Sequence, residues 1–154
     1  MNSNQLPRAV QLLNKTNQFN MATKRYTEEE YWEFSQASSN RVYTCYVSDK
    51  FGDAGLTGLI SIRVNDDNAE IVDFVMSCRV MGKHIEDAML YSVLSGINTD
   101  ALLSVKAVYR ETQKNRPFYE FIRYKYKDQA NYILELNSVN KPNHITIVQG
   151  GEGQ

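Results

Sequence analysis

Features of metal-binding and membrane-spanning proteins are scarce in this 154-residue chain. Cys45 and Cys78 are its two cysteines, and their wide separation lacks zinc-site spacing, so we expect reduced thiols of the kind found in protein cores. His84 and His144 are too isolated to predict a metal centre. No apolar run approaches the ~20 residues of a membrane span and no signal peptide is visible, which favours a cytoplasmic protein without a membrane partner.

Charge of one sign is also scarce, since the net charge is −1. This balance argues against nucleic acid as a partner. Residues 106–127 are the exception, with seven cations against two acids. The cations are Lys106, Arg110, Lys114, Arg116, Arg123, Lys125 and Lys127. This basic segment is either a docking face for phosphates or an acidic protein, or a solvated surface.

The length predicts one domain, residues 1–149, followed by a disordered tail at 150–154. Hydrophobic periodicity predicts the element order α-α-β-β-β-α-β-α-β-β. Helices are expected from Pro7, after the capping-box residue Thr27, from near Gly82, and over 117–124. Strands are expected at 41–48, 56–64, 69–76, 102–109, 132–136 and 144–148, with turns at 52–55 and 65–68. This order predicts an α/β domain around one mixed, twisted sheet.

The connection after the third strand carries the most informative motif. Arg79 and Gly82 stand in R-x-x-G spacing where a buried strand leads into an amphipathic helix. A glycine there lets an anion approach the backbone closely, and free N–H groups at a helix start bind a pyrophosphate. The alternative is a tight connection in which Arg79 and Lys83 are merely solvated.

Four stretches of the sequence resemble a known family. They are residues 13–20 (LNKTNQFN), 49–56 (DKFGDAGL), 77–82 (SCRVMG) and, more loosely, 112–117 (TQKNRP). In this order they resemble the GNAT acyltransferase superfamily, and more closely the C-terminal domain of FkbH-like proteins. The resemblance implies the GNAT-type fold, with a mixed sheet of six to seven strands flanked by helices. It also implies polyketide-type biosynthesis and a HAD-type domain, in cis or in trans, since this chain has no D-x-D-x-T stretch.

The resemblance further implies a set of cofactor-binding residues. The strand end at Val75, Met76 and Ser77 would pair its backbone with a pantetheine arm. The pyrophosphate would lie on the residues that follow, which are Arg79, Val80, Met81, Gly82, Lys83 and His84. The family usually has glycine or alanine where His84 stands, so the imidazole either crowds the phosphates or adds charge to their site. Asn115 matches the asparagine that contacts the cofactor arm.

Catalytic and substrate residues are less clearly marked. A three-residue deletion would align Tyr119 with the tyrosine that protonates the departing thiolate, and its alternative role is aromatic packing. Asn17, Gln18 and Asn20 could line the acyl end of the groove, or only cap the first helix. A general base is not marked by any motif, and the carboxylates placed for that role are Glu70, Asp73 and Glu111.

Two functions follow as hypotheses. The first is an acyltransferase that uses acetyl-CoA, another acyl-CoA or the phosphopantetheine arm of an acyl carrier protein, with a small-molecule acceptor. The second is a non-catalytic module with a degenerate CoA site, which docks a carrier protein through the basic segment. RNA binding through residues 119–127 is a third class that no motif supports.

Overall fold

The computed structural model of the chain describes residues 1–97, 104–135 and 139–148. Helices and strands follow one another there in the order α1 (Leu6–Lys15), α2 (Glu28–Gln36), β1 (Asn40–Asp49), β2 (Gly52–Val64), β3 (Asn68–Met76), α3 (Ile85–Ile97), β4 (Ser104–Ala107), α4 (Arg116–Ile122), β5 (Tyr126–Asp128) and β6 (Ile133–Leu134). A short 3-10 turn, Cys78–Val80, lies between β3 and α3. The predicted α/β order is confirmed for most of the chain.

One mixed sheet connects all six of these strands, in the order β1-β2-β3-β4-β6-β5. β1, β2 and β3 form an antiparallel meander. α3 then crosses over, so that β4 pairs with β3 in parallel, and β6 and β5 complete the sheet with antiparallel pairs. The predicted mixed sheet of six to seven strands flanked by helices is therefore confirmed.

The helices cover both faces of the sheet. Alternate residues of a strand point to opposite faces, and β2 and β3 are apolar on both. Leu59 and Val75 belong to a buried cluster with α1 and α2. Ile60 and Phe74, their neighbours in sequence, belong to the larger cluster that contains α3 and α4. The central strands are thus buried between two helical layers.

The capping box predicted at the start of α2 is present. The Thr27 hydroxyl accepts a hydrogen bond from the Glu30 amide at 3.1 Å, and the Glu30 carboxylate accepts one from the Thr27 amide at 2.8 Å. The rings of Tyr26 and Tyr31 lie 5.1 Å apart across this helix start. The two tyrosines therefore form a hydrophobic staple, which fixes the direction in which the chain enters α2.

The turn between the first two strands is not at residues 52–55 as predicted. Asp49 pairs with Gly52 and Ser48 with Asp53, so the connection is residues 50–51 and the glycine-rich stretch belongs to β2. Between these pairs and the Tyr46–Leu56 pair, two residues of β2 lie opposite one residue of β1. Gly55 has a φ of +72°, a conformation open to glycine that accommodates the bulge.

The strand predicted at 144–148 is wrong. Those residues have no strand partner, and β5, which was not predicted, takes the edge position beside β6. The strands predicted at 102–109 and 132–136 are present as the shorter β4 and β6, and residues 102, 103 and 136 lie outside the described part of the chain. The predicted tail at 150–154 also lies outside it. Among the described helices, none has the length and apolar character to cross a membrane.

Candidate functional site

The pairing between the parallel strands β3 and β4 covers only the first half of β3. β3 and β4 pair from Asn68 with Ser104 to Ile71 with Ala107, and the pairing stops there. β3 carries a bulge at Val72, because Asp73 pairs with Ser61 while Ile71 pairs with Ile62, and the strand continues to Met76. From the bulge onward, the backbone groups on this edge of β3 need partners other than β4.

Residues 19–21, which we call the inserted segment, supply those partners. The Met21 amide donates to the Phe74 carbonyl at 3.0 Å, and the Met76 amide donates to the Phe19 carbonyl at 3.1 Å. Asn20 and Val75 thereby form an antiparallel bridge. On the opposite side, the Arg110 amide donates to the Met21 carbonyl at 3.0 Å. The inserted segment is therefore a short extra strand in the gap between β3 and the chain that leaves β4.

Asn20 holds the inserted segment against the end of α1. Its side-chain nitrogen donates to the carbonyls of Thr16 at 3.0 Å and Leu13 at 3.3 Å, and its oxygen accepts from the Thr23 amide at 2.8 Å. The residue is 1% exposed. The Asn20 side chain thus caps the end of α1, which is the alternative role, and its contact with a substrate stays a prediction.

Phe19 fixes the segment from the other face of the sheet. Its ring packs against Phe74, Phe118 and Phe121 at centroid distances of 5.5, 4.9 and 5.3 Å. Phe19 is 2% exposed and Met21 is 1% exposed. Burial of these two side chains stabilises the attachment of the inserted segment by about 3 to 6 kcal/mol. Each backbone hydrogen bond of the segment adds about 0.5 to 1.5 kcal/mol.

Asn115 completes the attachment of the inserted segment. Its side-chain nitrogen donates to the carbonyls of Asn20 at 3.0 Å and Arg110 at 2.8 Å. Its side-chain oxygen accepts from the Thr112 amide and the Tyr109 hydroxyl, both at 2.8 Å. The carboxamide is fully buried and uses its whole hydrogen-bonding capacity inside the protein. In this structure Asn115 therefore cannot make the contact to a cofactor arm that the resemblance implied.

The backbone at the end of β3 is likewise paired within the chain. Met76 donates to the inserted segment, and the Ser77 amide donates to the Thr57 carbonyl at 2.7 Å. Val75 is buried and lies opposite Leu59 of β2. The backbone donors expected at Val75, Met76 and Ser77 are therefore not free for a pantetheine arm. A micromolar ligand binds with about 8 kcal/mol in total, and opening this edge would cancel most of that free energy.

The β3–α3 turn, residues 77–84, differs from the end of β3 because its backbone is exposed and left-handed at two residues. Val80 is buried and anchors the 3-10 turn in the core. Gly82 and His84 have positive φ angles of 79° and 61°, and they turn the chain into α3. α3 begins at Ile85, three residues later than predicted, because the left-handed residues 82 and 84 cannot lie inside a right-handed helix.

The β3–α3 turn leaves donors and cations without partners. Within the described residues, the amides of Gly82, Lys83 and His84 donate to no protein acceptor. In the same part of the chain, the side chains of Arg79 and Lys83 are exposed and form no ion pair. Successive free amides beside two cations form a concave anion-binding surface. The pyrophosphate role of this turn stays a prediction, and its Val80 and Met81 side chains pack inward.

Two imidazoles flank this turn. His84 Nδ1 lies 3.2 Å from the Asp87 carboxylate, which Lys125, in the connection between α4 and β5, approaches at 3.3 Å. His144 lies over the turn, with its Nε2 3.3 Å from the Lys83 carbonyl and its ring centroid 5.8 Å from that of His84. His84 is therefore directed to Asp87 and does not crowd the free amides. Among the described residues, no three metal-ligating side chains form a group.

Glu86 is a residue that the sequence did not single out. It lies in the first turn of α3, and its Oε2 atom is buried without a hydrogen-bond partner. Burial raises the pKa of this carboxyl group, and the neighbouring Asp87 adds to the increase. An acidic residue in a first helical turn is a common stabilising feature, so the sequence carried no signal for its unsatisfied oxygen.

The remaining predicted residues are not brought together. Tyr119 packs its ring 5.2 Å from that of Tyr109, and its hydroxyl accepts from Gln129 at 3.4 Å. Asn17 accepts from Arg25 at the surface, at 2.9 Å. Gln18 is exposed and reaches the turn, with its side-chain oxygen 3.8 Å from the Cys78 sulfur. The general-acid role of Tyr119 stays a prediction.

Asp73 lies on the wrong face of the sheet for a general base. Its carboxylate accepts from the Tyr26 hydroxyl at 2.8 Å, beneath α2, and it is 1% exposed. Ser61 and Tyr31 continue the same buried network, with their hydroxyls 2.6 Å apart. Burial raises the pKa of Asp73. The other two carboxylates, Glu70 and Glu111, lie on β3 and after β4, and neither shares a hydrogen bond with the β3–α3 turn.

The cysteines and the basic segment also differ from the expectations. Cys78 is exposed in the β3–α3 turn, and only Cys45 resembles a core thiol, half-buried with its pKa raised by burial to about 11.

In the basic segment, Arg116 and Arg123 lie 2.7 and 3.5 Å from Glu120, and their guanidinium groups stack on Tyr119. The face is therefore partly neutralised by its own carboxylate.

Solved acyltransferase structures share this fold. Rv2747 from Mycobacterium tuberculosis, in complex with CoA and NLQ, superimposes with a TM-score of 0.56 at 17% identity, over 73% of this chain and 63% of that one. The ribosomal-protein-S18-alanine N-acetyltransferase from Escherichia coli gives 0.57 at 10% identity, over 86% and 84%. A chimera of the Vibrio cholerae spermidine N-acetyltransferase with hSSAT gives 0.53 at 16% identity, over 86% and 89%.

The chain has the GNAT acyltransferase fold, as its sequence predicted. It spans less than two thirds of the length of the mycobacterial protein. No protein-family model matches the sequence, and no curated protein matches it. Identities this low establish the fold alone, and the relation to FkbH-like proteins stays a prediction.

Proposed function

We propose that this chain is a GNAT-type acyltransferase domain that binds an acyl-CoA, or the phosphopantetheine arm of an acyl carrier protein, through the phosphates. The observation that carries the proposal is the β3–α3 turn, where three free amides lie beside Arg79 and Lys83. Solved proteins of the same fold include N-acetyltransferases and a protein in complex with CoA, which supports the choice of ligand.

The protein groups have distinct parts in this proposal. Arg79 and Lys83 would neutralise the phosphates, and the amides of residues 82–84 would donate to their oxygens. A bound thioester supplies an activated acyl group for an amine or hydroxyl acceptor. Tyr119 is the proposed proton donor to the thiolate, and a HAD-type domain in cis or in trans is the proposed partner in an FkbH-like biosynthetic setting.

The residues present fit the two ends of such a ligand unequally. The phosphate end fits the β3–α3 turn, because donors and cations are available there. The pantetheine arm does not fit beside β3, because the inserted segment already pairs with that edge. We therefore derive no acyl-transfer step through a bound arm.

A second candidate function is favoured by the inserted segment. A non-catalytic module that docks an acyl carrier protein needs no open edge on β3, and the closed edge and the fully bonded Asn115 are consistent with it. Carrier proteins are typically acidic, and Lys106, Lys114 and Lys127 are exposed cations suited to meet one.

Calorimetric titration separates the two functions. Acetyl-CoA and a holo acyl carrier protein are titrated into the wild type, Arg79→Ala and the control Arg41→Ala, in which an exposed arginine of β1 is lost. Acetyl-CoA binding that weakens about tenfold in Arg79→Ala alone supports the acyl-CoA ligand. Binding of the carrier without acetyl-CoA supports the docking module, and binding of neither removes the β3–α3 turn as a ligand site.

Chemistry is tested on the variants that bind. Release of CoA from acetyl-CoA is followed with a panel of amine and hydroxyl acceptors, for the wild type and Tyr119→Phe. A turnover loss of about 10²-fold or more with unchanged acetyl-CoA affinity supports Tyr119 as the acid. Equal turnover in the two proteins removes that role.

A further inference from the structure

We propose that the inserted segment and a pantetheine arm compete for the same edge of β3, so that the wild-type chain holds its ligand through the phosphates alone. The inference rests on the proposed function, because it concerns the ligand of the β3–α3 turn. It deepens that function by stating which part of the ligand contributes affinity.

The competition follows from the small number of backbone groups available. On the edge of β3 beyond the bulge, the Phe74 carbonyl and the Met76 amide face the gap toward β4. A pantetheine arm carries two amides, which can bind such an edge as an added strand does. The inserted segment already engages both groups, at 3.0 and 3.1 Å. An arm in this position would have to replace those hydrogen bonds one for one.

The position of the segment along β3 makes the competition direct. Met76, which the segment engages, is followed immediately by Ser77, the first residue of the β3–α3 turn. A ligand with its phosphates on that turn would direct its arm back along β3, across Met76 and Phe74. The Phe19 side chain anchors the segment there, because its ring packs against Phe74 and Phe118 on the face of the sheet that carries α3 and α4. The backbone of the segment therefore excludes the arm, and the Phe19 ring holds that backbone in place.

The attachments of the segment explain why the wild type stays closed. Asn115 bonds to the Asn20 carbonyl, the Arg110 amide bonds to the Met21 carbonyl, and Asn20 caps α1. These contacts belong to three different parts of the chain, so the segment is released only when several of them break together. Loosening it should therefore increase the affinity for an arm, although it weakens the fold.

The experiment compares three probes: CoA, its nucleotide part 3′-phospho-ADP, and pantetheine. In the wild type we expect CoA and 3′-phospho-ADP to bind within about twofold of each other, and pantetheine not to bind. In Phe19→Ala, and in the milder Asn20→Ala, we expect CoA to gain about tenfold over 3′-phospho-ADP and pantetheine binding to appear.

Leu12→Ala is the matched control, since Leu12 is 2% exposed on α1 in the cluster on the opposite face of the sheet. It should weaken the fold without admitting pantetheine. The proposal is overturned if CoA already binds the wild type tenfold more tightly than 3′-phospho-ADP, if neither loosened variant gains arm binding, or if the Leu12→Ala control gains it equally.

The two proposals fail in different ways. If pantetheine binds the loosened variants while 3′-phospho-ADP binds no variant, the β3–α3 turn is not a phosphate site and the competition stands. If 3′-phospho-ADP binds the wild type and is lost in Arg79→Ala, while no loosened variant admits pantetheine, the phosphate site stands and the competition is wrong.

Discussion

The β3–α3 turn and the inserted segment meet at the same end of β3, and they differ in whether their polar groups are hydrogen-bonded within the protein. In the turn, the amides of residues 82–84 donate to no acceptor among the described residues, and Arg79 and Lys83 are exposed. In the inserted segment, the Phe19 carbonyl and the Met21 amide are bonded to β3, and the side chains of Asn20 and Asn115 secure the segment.

The turn therefore has hydrogen-bond donors that are open to a ligand, whereas the donors of the inserted segment are already bonded within the chain. Unpaired donors are costly in a buried position and tolerable in water, which is why the turn is exposed and the segment is buried. Under the proposed function, this chain keeps a phosphate site at the turn while the inserted segment closes the place of the arm.

The largest predicted effect concerns the attachment of the segment. Asn115→Ala leaves two carbonyls, an amide and a hydroxyl without their partner, and we expect a loss of about 3 to 4 kcal/mol in the free energy of unfolding. Asn17→Ala removes one surface hydrogen bond to Arg25 and should cost about 0.5 kcal/mol or less. Urea unfolding measures both, and equal losses would contradict the tightly bonded state of the segment.

Two glycines probe the turn itself. A Cβ at Gly82 or at Gly96 meets no atom within 4 Å, but only Gly82 has a positive φ. Gly82→Ala should therefore destabilise the protein by about 1 to 2 kcal/mol through its backbone alone. Gly96→Ala, in α3, should stabilise it by about 0.5 to 1 kcal/mol. Thermal unfolding of both variants gives the signs, and a stabilising Gly82→Ala would rule out the left-handed turn.

A pH titration examines the bonded region. Asp73 accepts from Tyr26, which follows the inserted segment, and burial raises its pKa above the usual carboxyl value. The folded state therefore takes up a proton at a higher pH than the unfolded chain, and this group's contribution to stability falls as the pH rises between the two values. The wild type should gain stability relative to Asp73→Asn as the pH is lowered from 7 toward the usual carboxyl pKa of about 3.9. A difference independent of pH would show that Asp73 is not buried as described.

The smallest predicted effect is on thiol reactivity. Cys78 is exposed in the turn, while burial raises the pKa of Cys45 to about 11, so a thiol reagent at pH 8 should label Cys78 first. Bound CoA should slow the labelling of Cys78 and leave Cys45 unchanged. Mass spectrometry of the labelled peptides measures both rates, and faster labelling of Cys45 would contradict the assigned exposures.

The fold was predictable from the sequence because its signals are local. The Thr27 capping box, the apolar runs of β2 and β3 and the R-x-x-G turn each act within a few residues, and the structure contains all three. The turn at 50–51 was missed because glycines suit a bulge within a strand as well as a turn between strands. β5 was missed because a strand of three residues leaves no periodicity to detect.

The candidate site was only half predictable, because its two halves depend on contacts at different sequence separations. The β3–α3 turn is formed by neighbouring residues. The closure of β3 depends on Asn20 and Asn115, which are 95 positions apart and meet only in the folded chain. An asparagine that contacts a ligand and one that holds a loop have the same side chain, so only the partners distinguish them.

Amide hydrogen exchange measured residue by residue tests the central claim most directly. The amides of Met21 and Met76 should exchange slowly, and those of Gly82, Lys83 and His84 quickly. When CoA is added, the three turn amides should become protected while Met21 and Met76 stay unchanged. If Met21 and Met76 exchange as fast as the turn, or lose protection when CoA binds, the edge of β3 is open to the arm and the account is wrong.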